Sequence, residues 1–128
     1  MARPPSKELT ERELEVMKVF WKFGELTATA ARDKLASTGI DRAYVTIANL
    51  VRTLVDKGFL KATNEERPFR YQAMRSFDDV SGNLVGDVLK RVFGGSREKM
   101  LVKLMDGRKK LTAKERAFFE QILQEDEP

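Results

Sequence analysis

The chain has 128 residues, of which 41% are hydrophobic and 34% charged, and this length suits one compact unit or two small ones that share a core. It contains no cysteine and no histidine, which excludes disulfides, thiolate or imidazole metal sites and the usual Ser-His or Cys-His nucleophile pairs. We therefore expect no enzyme, cofactor or metal, and the net charge of +4 favours an acidic polymer as partner.

The excess positive charge lies in the first part of the chain. Residues 1–75 contain 14 basic and 10 acidic side chains, whereas residues 76–128 contain 10 of each. Between Arg75 and Asp79 the pattern also changes from mixed helix and strand signals to helical periodicity alone. We predict one domain over residues 1–76 and a second over residues 77–128. The sequence shows neither a secretory signal nor a membrane span, which favours a soluble cytoplasmic protein.

Two local sequence motifs predict the first helix, from about Glu11 to Phe23. Thr10 and Glu13 have the spacing of a capping box, and Leu9 with Leu14 has that of a hydrophobic staple. The apolar side of this helix is expected to supply core aromatic residues. These are Phe20, Trp21 and Phe23.

Two further helices follow. Thr27 can cap a short one that continues to about Ala36, and a longer pattern covers about Ala43 to Lys57. One stripe of the longer helix is apolar. It comprises Ile47, Leu50, Val51, Leu54 and Val55. The opposite face has few long charged side chains near its beginning, so it can approach a flat partner closely. It carries Tyr44, Val45, Thr46, Ala48, Asn49 and Arg52.

A β-hairpin is predicted next. Phe59–Thr63 and Phe69–Ala73 have strand character, and the polar residues Asn64–Pro68 form the turn between them. Three helices followed by a hairpin is the order of a winged helix-turn-helix, whose third helix enters the DNA major groove while the hairpin reaches the backbone. The predicted fold is therefore mainly α, with a winged-helix domain followed by a helical segment.

This fold assigns candidate DNA contacts. Thr46 and Asn49 are small hydrogen-bonding residues at the start of the third helix, where side chains can reach base edges. Basic side chains on the hairpin, on the third helix and just before it are candidates for phosphate contacts. They are Arg42, Arg52, Lys61, Arg67 and Arg70. The predicted DNA-binding set is completed by four residues at the starts of the second and third helices. They are Thr27, Thr29, Ala43 and Tyr44.

The sequence resembles the BlaI/MecI family of penicillinase and methicillin-resistance repressors over nearly the whole chain. The first helix, residues 9–21, is similar to the family's opening in its Glu, its Val-Met pair and its Trp. The third helix and the hairpin carry further matching positions. They are Thr46-Ile47, Leu50, Leu54 and Lys57-Gly58, and then Arg67-Pro68-Phe69-Arg70-Tyr71.

The resemblance implies a homodimeric repressor whose winged helix binds a palindromic operator and whose C-terminal segment dimerises. In family members that respond to β-lactams, a membrane sensor system indirectly causes cleavage at an Asn-Phe pair, which aligns here with Lys103 and Leu104. Asn49 stands where the family often has Thr, and Thr53 stands where the family has Arg. The copper-sensing route of some relatives needs a cysteine cluster and is excluded here.

The C-terminal segment is predicted to form three helices separated by Gly94-Gly95 and Gly107, with Thr112 and Glu115 as a capping box for the last one. About 50 residues can hardly bury this much apolar surface alone, so burial against a second chain is expected. The predicted dimer interface comprises Leu84, Val88, Leu89, Val92, Phe93, Met100, Leu101, Leu104, Met105, Phe118, Phe119, Ile122 and Leu123.

Two other hypotheses remain open from the sequence. A winged helix can bind another protein in place of DNA. The acidic Glu65 and Glu66 in the hairpin turn slightly favour this hypothesis, because carboxylates repel phosphates. A small molecule could also enter the dimer interface and change the spacing of the two DNA-binding domains. The salt dependence of binding distinguishes a protein partner from DNA. An increase in melting temperature when a small molecule is added would identify the ligand-controlled alternative.

Overall fold

The computed structural model describes residues 8–105 and 112–126. The chain divides into two compact units, one ending at Gly82 and one beginning at Asn83. This division falls six residues beyond the sequence-predicted boundary between residues 76 and 77. The reason is that the helix starting at Phe77 contributes Val80 to the core of the first unit before it continues into the second.

Helix α1 (Glu11–Phe23) begins at the predicted capping box. The Glu13 backbone N–H donates to Thr10 Oγ1 at 3.2 Å, and the Thr10 N–H donates to Glu13 Oε1 at 2.8 Å, so two otherwise unpaired backbone donors are satisfied. The helix ends at Gly24, whose φ of 84° lies in the left-handed region that glycine adopts without strain. The predicted limits of this helix are confirmed.

Helices α2 (Ala28–Ser37) and α3 (Tyr44–Asp56) complete the helix-turn-helix. Thr27 caps α2, and its hydroxyl accepts a hydrogen bond from the Ala30 N–H at 3.1 Å. Helix α3 follows Ala43, which offers no side-chain cap, and the helix ends just before Gly58. Both helices lie within one residue of their predicted limits at each end.

A small antiparallel sheet packs beside these helices. Its strands are β1 (Leu26–Thr27), β2 (Leu60–Ala62) and β3 (Arg70–Ala73), in the order β1-β3-β2. Strands β2 and β3 form the predicted hairpin, with Lys61 opposite Gln72. Strand β1 is not predicted from the sequence, and its pairing with β3 ties the beginning of α2 to the hairpin.

The core of the first unit lies between the three helices and the sheet. Its buried side chains are Val16, Met17, Val19, Phe20, Ala31, Leu35, Ile47, Val51, Leu54, Phe59, Leu60 and Val80. Of the three aromatic residues expected there, Phe20 is buried and Trp21 is half-buried at the edge, where its indole N–H donates to the Arg75 carbonyl at 2.8 Å. The prediction for Phe23 is wrong, because this last residue of α1 is 38% exposed and the ammonium groups of Lys22 and Lys34 lie over its ring.

Helix α4 (Phe77–Arg91) leads into the second unit, which also contains α5 (Arg97–Met105) and α6 (Ala113–Asp126). Gly94 and Gly95 separate α4 from α5 as predicted, whereas Gly107 lies outside the described residues. The capping box of Thr112 and Glu115 is present at the start of α6, with hydrogen bonds of 2.9 and 3.1 Å. No helix in the described ranges has the length and apolar character needed to cross a membrane.

Large apolar side chains remain exposed in the second unit. They are Leu84, Val85, Val88, Val92, Leu101, Val102, Leu104, Met105 and Phe118. The residues Leu89, Phe93 and Met100 are half-buried, and the side chains of Phe119, Ile122 and Leu123 lie outside the described part of the chain. Most of the sequence-predicted interface residues are therefore on the surface of a single chain.

Candidate nucleic-acid interface

An open groove of about 810 Å³ runs between the beginning of α2, helix α3 and the β-hairpin. All of its lining belongs to the first compact unit. The lining residues are Thr27, Ala28, Thr29, Tyr44, Ala48, Val51, Arg52, Val55, Ala62, Arg67, Pro68, Phe69 and Tyr71.

The groove brings together five of the residues predicted to bind DNA. They are Thr27, Thr29, Tyr44, Arg52 and Arg67. Five other members of the set do not line the groove: Ala43, Asn49, Lys61 and Arg70 are exposed, and Thr46 is half-buried on α3. Ala48, Phe69 and Tyr71 also line the groove but were not among the predicted contacts, because their place in it depends on the distance between helix and hairpin.

The exposed side of α3 is uncharged over its first two turns. From Tyr44 to Val51 the helix has no acidic or basic residue, and Arg52 is the first charged one. Asn49 is exposed, and the hydrogen bond that the structure shows at this residue uses its backbone oxygen, which accepts from Thr53 Oγ1 at 3.0 Å. The bond does not involve the Asn49 side-chain amide, which carries the donor and the acceptor needed for recognition of a base edge.

Arg42, which precedes α3, is bound within the protein. Its Nε and Nη2 atoms donate to the two carboxylate oxygens of Glu15 on α1 at 3.1 and 3.2 Å. The Arg42 carbonyl in turn accepts a hydrogen bond from Arg32 Nε at 3.3 Å. A forked arginine-carboxylate pair fixes direction as well as distance, so these contacts hold the loop that leads into α3. Glu15 could not be predicted as a partner of Arg42 from local patterns, because the two residues are 27 positions apart in the sequence.

One amide side chain organises the turn of the hairpin. Asn64 Oδ1 accepts from the Arg70 backbone N–H at 2.9 Å, and its Nδ2 donates to the carbonyls of Glu66 and Pro68 at 3.0 and 3.2 Å. The Arg67 guanidinium lies 6.0 Å from the centroid of the Phe69 ring, within reach of a cation–π contact. These contacts set the shape of the turn while residues 61–68 stay exposed.

A buried ion pair joins the end of α3 to the beginning of α1. Lys57 Nζ, just after α3, lies 2.8 Å from Glu13 Oε1 in the first turn of α1, and both side chains are almost fully buried. Burial by itself raises the pKa of Glu13, but the hydrogen bonds from Lys57 and Thr10 and the Lys57 charge outweigh it, so the pKa lies below its ordinary value. The pair thereby fixes the end of α3 against α1.

A helix-turn-helix that continues into a β-hairpin, with a third helix uncharged over its first two turns and exposed arginines on that helix and on the hairpin, defines a winged-helix DNA-binding protein. The sequence profile of the family described as penicillinase repressor matches residues 9–125. The chain belongs to this family. It is therefore a DNA-binding transcriptional repressor and not an enzyme, which confirms the predicted family, fold class and lack of catalysis.

Individual proteins also resemble the chain. A 16.5 kDa protein from the ptsI 3′ region of Latilactobacillus sakei is 31% identical over 101 residues, which is 79% of this chain and 68% of that protein. The solution structure of monomeric BlaI from Bacillus licheniformis with the blaP half-operator is 30% identical, covers 62% of this chain and 93% of its own, and has a TM-score of 0.48. The structure of a MarR family protein from Bacillus stearothermophilus is 17% identical in sequence and has a TM-score of 0.49. The match covers 91% of this chain and 71% of that protein.

Proposed function

We propose that this chain represses transcription as a homodimer that binds a palindromic operator, with α3 in the major groove and the hairpin against the DNA backbone. The observation that carries the proposal is the uncharged beginning of α3, bordered by the exposed Arg52 and by the basic hairpin residues Lys61, Arg67 and Arg70. A neutral helix surface can approach base edges, while guanidinium and ammonium groups beside it neutralise phosphates.

Each part of the interface has a role in this proposal. Thr46 and Asn49 read bases, and an Asn amide can pair bidentately with adenine. The groove between α3 and the hairpin is the path of one DNA strand, whose phosphates meet Arg52, Arg67 and the beginning of α2. Thr29 and Thr27, the N-cap residue of α2, border that path, where the N–H groups of a helix start favour an anion.

The apolar surface of the second unit supports the homodimer. Val88 on α4 is 42% exposed, Val92 just after α4 is 69% exposed and Leu104 on α5 is 68% exposed. Exposure of several large apolar side chains in one small unit is costly in water. A second copy of the chain would cover this surface. Two DNA-binding domains related by a two-fold axis could then occupy half-sites about 34–36 Å apart, which is one turn of DNA.

Release from DNA is proposed to follow a signal that unwinds or breaks α5. The bond aligned with the family's cleavage site, between Lys103 and Leu104, lies inside this helix. A protease needs extended backbone, so cleavage there would require local opening of α5. The Lys-Leu pair differs from the family's Asn-Phe pair, so a membrane sensor acting indirectly would need a protease of different specificity. The proposed site of action is the cytoplasm.

Fluorescence anisotropy with the intergenic DNA upstream of the chain's own gene tests the proposal. We expect tight binding that is lost in the double variant Thr46→Ala plus Asn49→Ala and kept in Ser37→Ala, which removes an exposed hydroxyl at the far end of α2. The salt slope should be about −0.9 for each phosphate covered. Equal affinity for a scrambled duplex would contradict sequence-specific repression, and a shallow slope would favour a protein partner.

A further inference from the structure

One apolar side chain on the exposed face of α3 lies outside the core and outside the predicted DNA contacts. Val45 is 66% exposed, more than Tyr44 at 50%, although both lie in the first turn of the helix. Val45, Asn49 and Arg52 are all exposed and follow one another at helical spacing, so they form a single stripe on α3.

Local stability does not account for a valine at this place. A β-branched side chain has lower helix propensity than alanine or a long polar residue, because its χ1 is restricted against the preceding turn. An exposed position also contributes little to the core, which in α3 is supplied by Ile47, Val51 and Leu54. The valine therefore points to a contact outside the chain.

Double-stranded DNA presents one apolar group in its major groove, the C5-methyl of thymine. We propose that Val45 is a specificity-determining residue that packs its two methyl groups against a thymine methyl, while Asn49, one turn later, pairs with an adenine. This inference rests on the proposed function, because it requires α3 in the major groove.

The spacing of the two residues fits neighbouring base pairs. Side chains four residues apart on a helix are separated by about 5–6 Å at their Cβ atoms. Successive bases along one DNA strand are about 3.4 Å apart, so Val45 and Asn49 can address positions one or two steps apart. Each half-site of the operator should accordingly contain thymine and adenine within one or two steps of each other.

Replacement of thymine by uracil tests the assignment, because it removes the C5-methyl and keeps all base-pairing groups. The probe is the duplex that the wild-type protein enriches most strongly from a random 30-base-pair library. In each test duplex, uracil replaces thymine at one position and at the position related to it by symmetry. At one pair of symmetry-related positions, we expect the replacement by uracil to weaken wild-type binding roughly three- to fivefold for each methyl removed, as estimated from the burial of one carbon group.

The variants separate Val45 from its neighbours. Val45→Ala should bind the thymine and uracil duplexes equally, and Val45→Thr, with one methyl left, should keep part of the thymine preference. The control Ser37→Ala, which changes an exposed residue outside the groove, should keep the full preference. Both alanine variants change exposed side chains, so circular dichroism should show unchanged melting. If no uracil position weakens the wild type, or if Val45→Ala retains the preference, the inference is overturned. If the library yields no enriched sequence, the proposed function itself fails.

Discussion

The Lys57 ammonium lies 2.8 Å from the Glu13 carboxylate and 2.9 Å from the Glu8 carbonyl, so the residue after α3 is tied to the beginning of α1. Glu13 also completes the capping box with Thr10. One carboxylate thus serves both the start of the first helix and the position of the third. Since α3 is the helix proposed to enter the DNA groove, this contact connects stability with the geometry of binding.

Removal of one partner from this pair should destabilise the first unit strongly. We predict that Lys57→Met lowers the free energy of unfolding by about 3 kcal/mol, because it leaves the Glu13 charge buried without its partner. Urea unfolding followed by the fluorescence of Trp21, the single tryptophan, measures the change. The double variant with Glu13→Gln removes both charges and should recover much of the stability. Equal stability of Lys57→Met and wild type would contradict a buried pair.

The same contact predicts a dependence of stability on pH. The pKa of Glu13 is lowered in the folded chain, so its contribution is fully present above the unfolded-state value of about 4.3 and is lost as pH falls through the lower folded-state value. We expect the stability advantage of wild type over the double variant Glu13→Gln plus Lys57→Met to shrink below about pH 4. A constant difference between pH 7 and pH 3, measured by urea unfolding, would exclude this linkage.

The pairing of Arg42 with Glu15 suggests that Arg42 positions the loop before α3, which differs from the phosphate contact predicted from the sequence. In that case Glu15→Ala and Arg42→Ala should weaken operator binding by a similar factor of roughly ten, about 1.4 kcal/mol, because either change frees the loop. Anisotropy titrations on the selected duplex measure both. Tighter binding by Glu15→Ala would instead indicate that Glu15 competes with phosphate for the Arg42 guanidinium.

Arg67 offers a direct test of the hairpin as a backbone contact. We predict that Arg67→Ala weakens binding to specific and scrambled DNA by the same factor and reduces the salt slope by about 0.9 for each phosphate that is no longer neutralised. Lys18→Ala is the matched control, because Lys18 is exposed on α1 and does not line the groove. An Arg67→Ala slope equal to that of Lys18→Ala would show that the hairpin arginine does not meet phosphate.

The sequence predicts those elements whose signals are local. The capping boxes at Thr10 and Thr112 set two helix starts from residues only three positions apart, and alternation in residues 69–73 marks the second strand of the hairpin. Strand β1 was missed because two residues carry no alternation, and its pairing of Leu26 with Tyr71 depends on chain folding over a long separation.

The residues of the candidate site, too, were predictable only where the sequence signal is local. Residue type and position on α3 predicted Tyr44 and Arg52, and both line the groove. The partners Glu13 with Lys57 and Glu15 with Arg42 were not predicted, because they meet across 44 and 27 residues of sequence. The sequence pattern placed Val45 on the face of α3 opposite the apolar stripe, but only its exposure of 66% in the structure singled it out from the other residues of that face.

Sedimentation velocity with the fluorescently labelled selected duplex measures assembly and DNA recognition together. We predict a dimer in free solution, and on DNA a single complex of two chains per duplex that a scrambled duplex does not form at the same salt concentration. The variant Val88→Glu, which places a charge on the exposed apolar side of α4, should sediment as a monomer and bind weakly. A wild-type chain that stays monomeric and forms no complex with the duplex even at low ionic strength would contradict the proposed dimeric repressor.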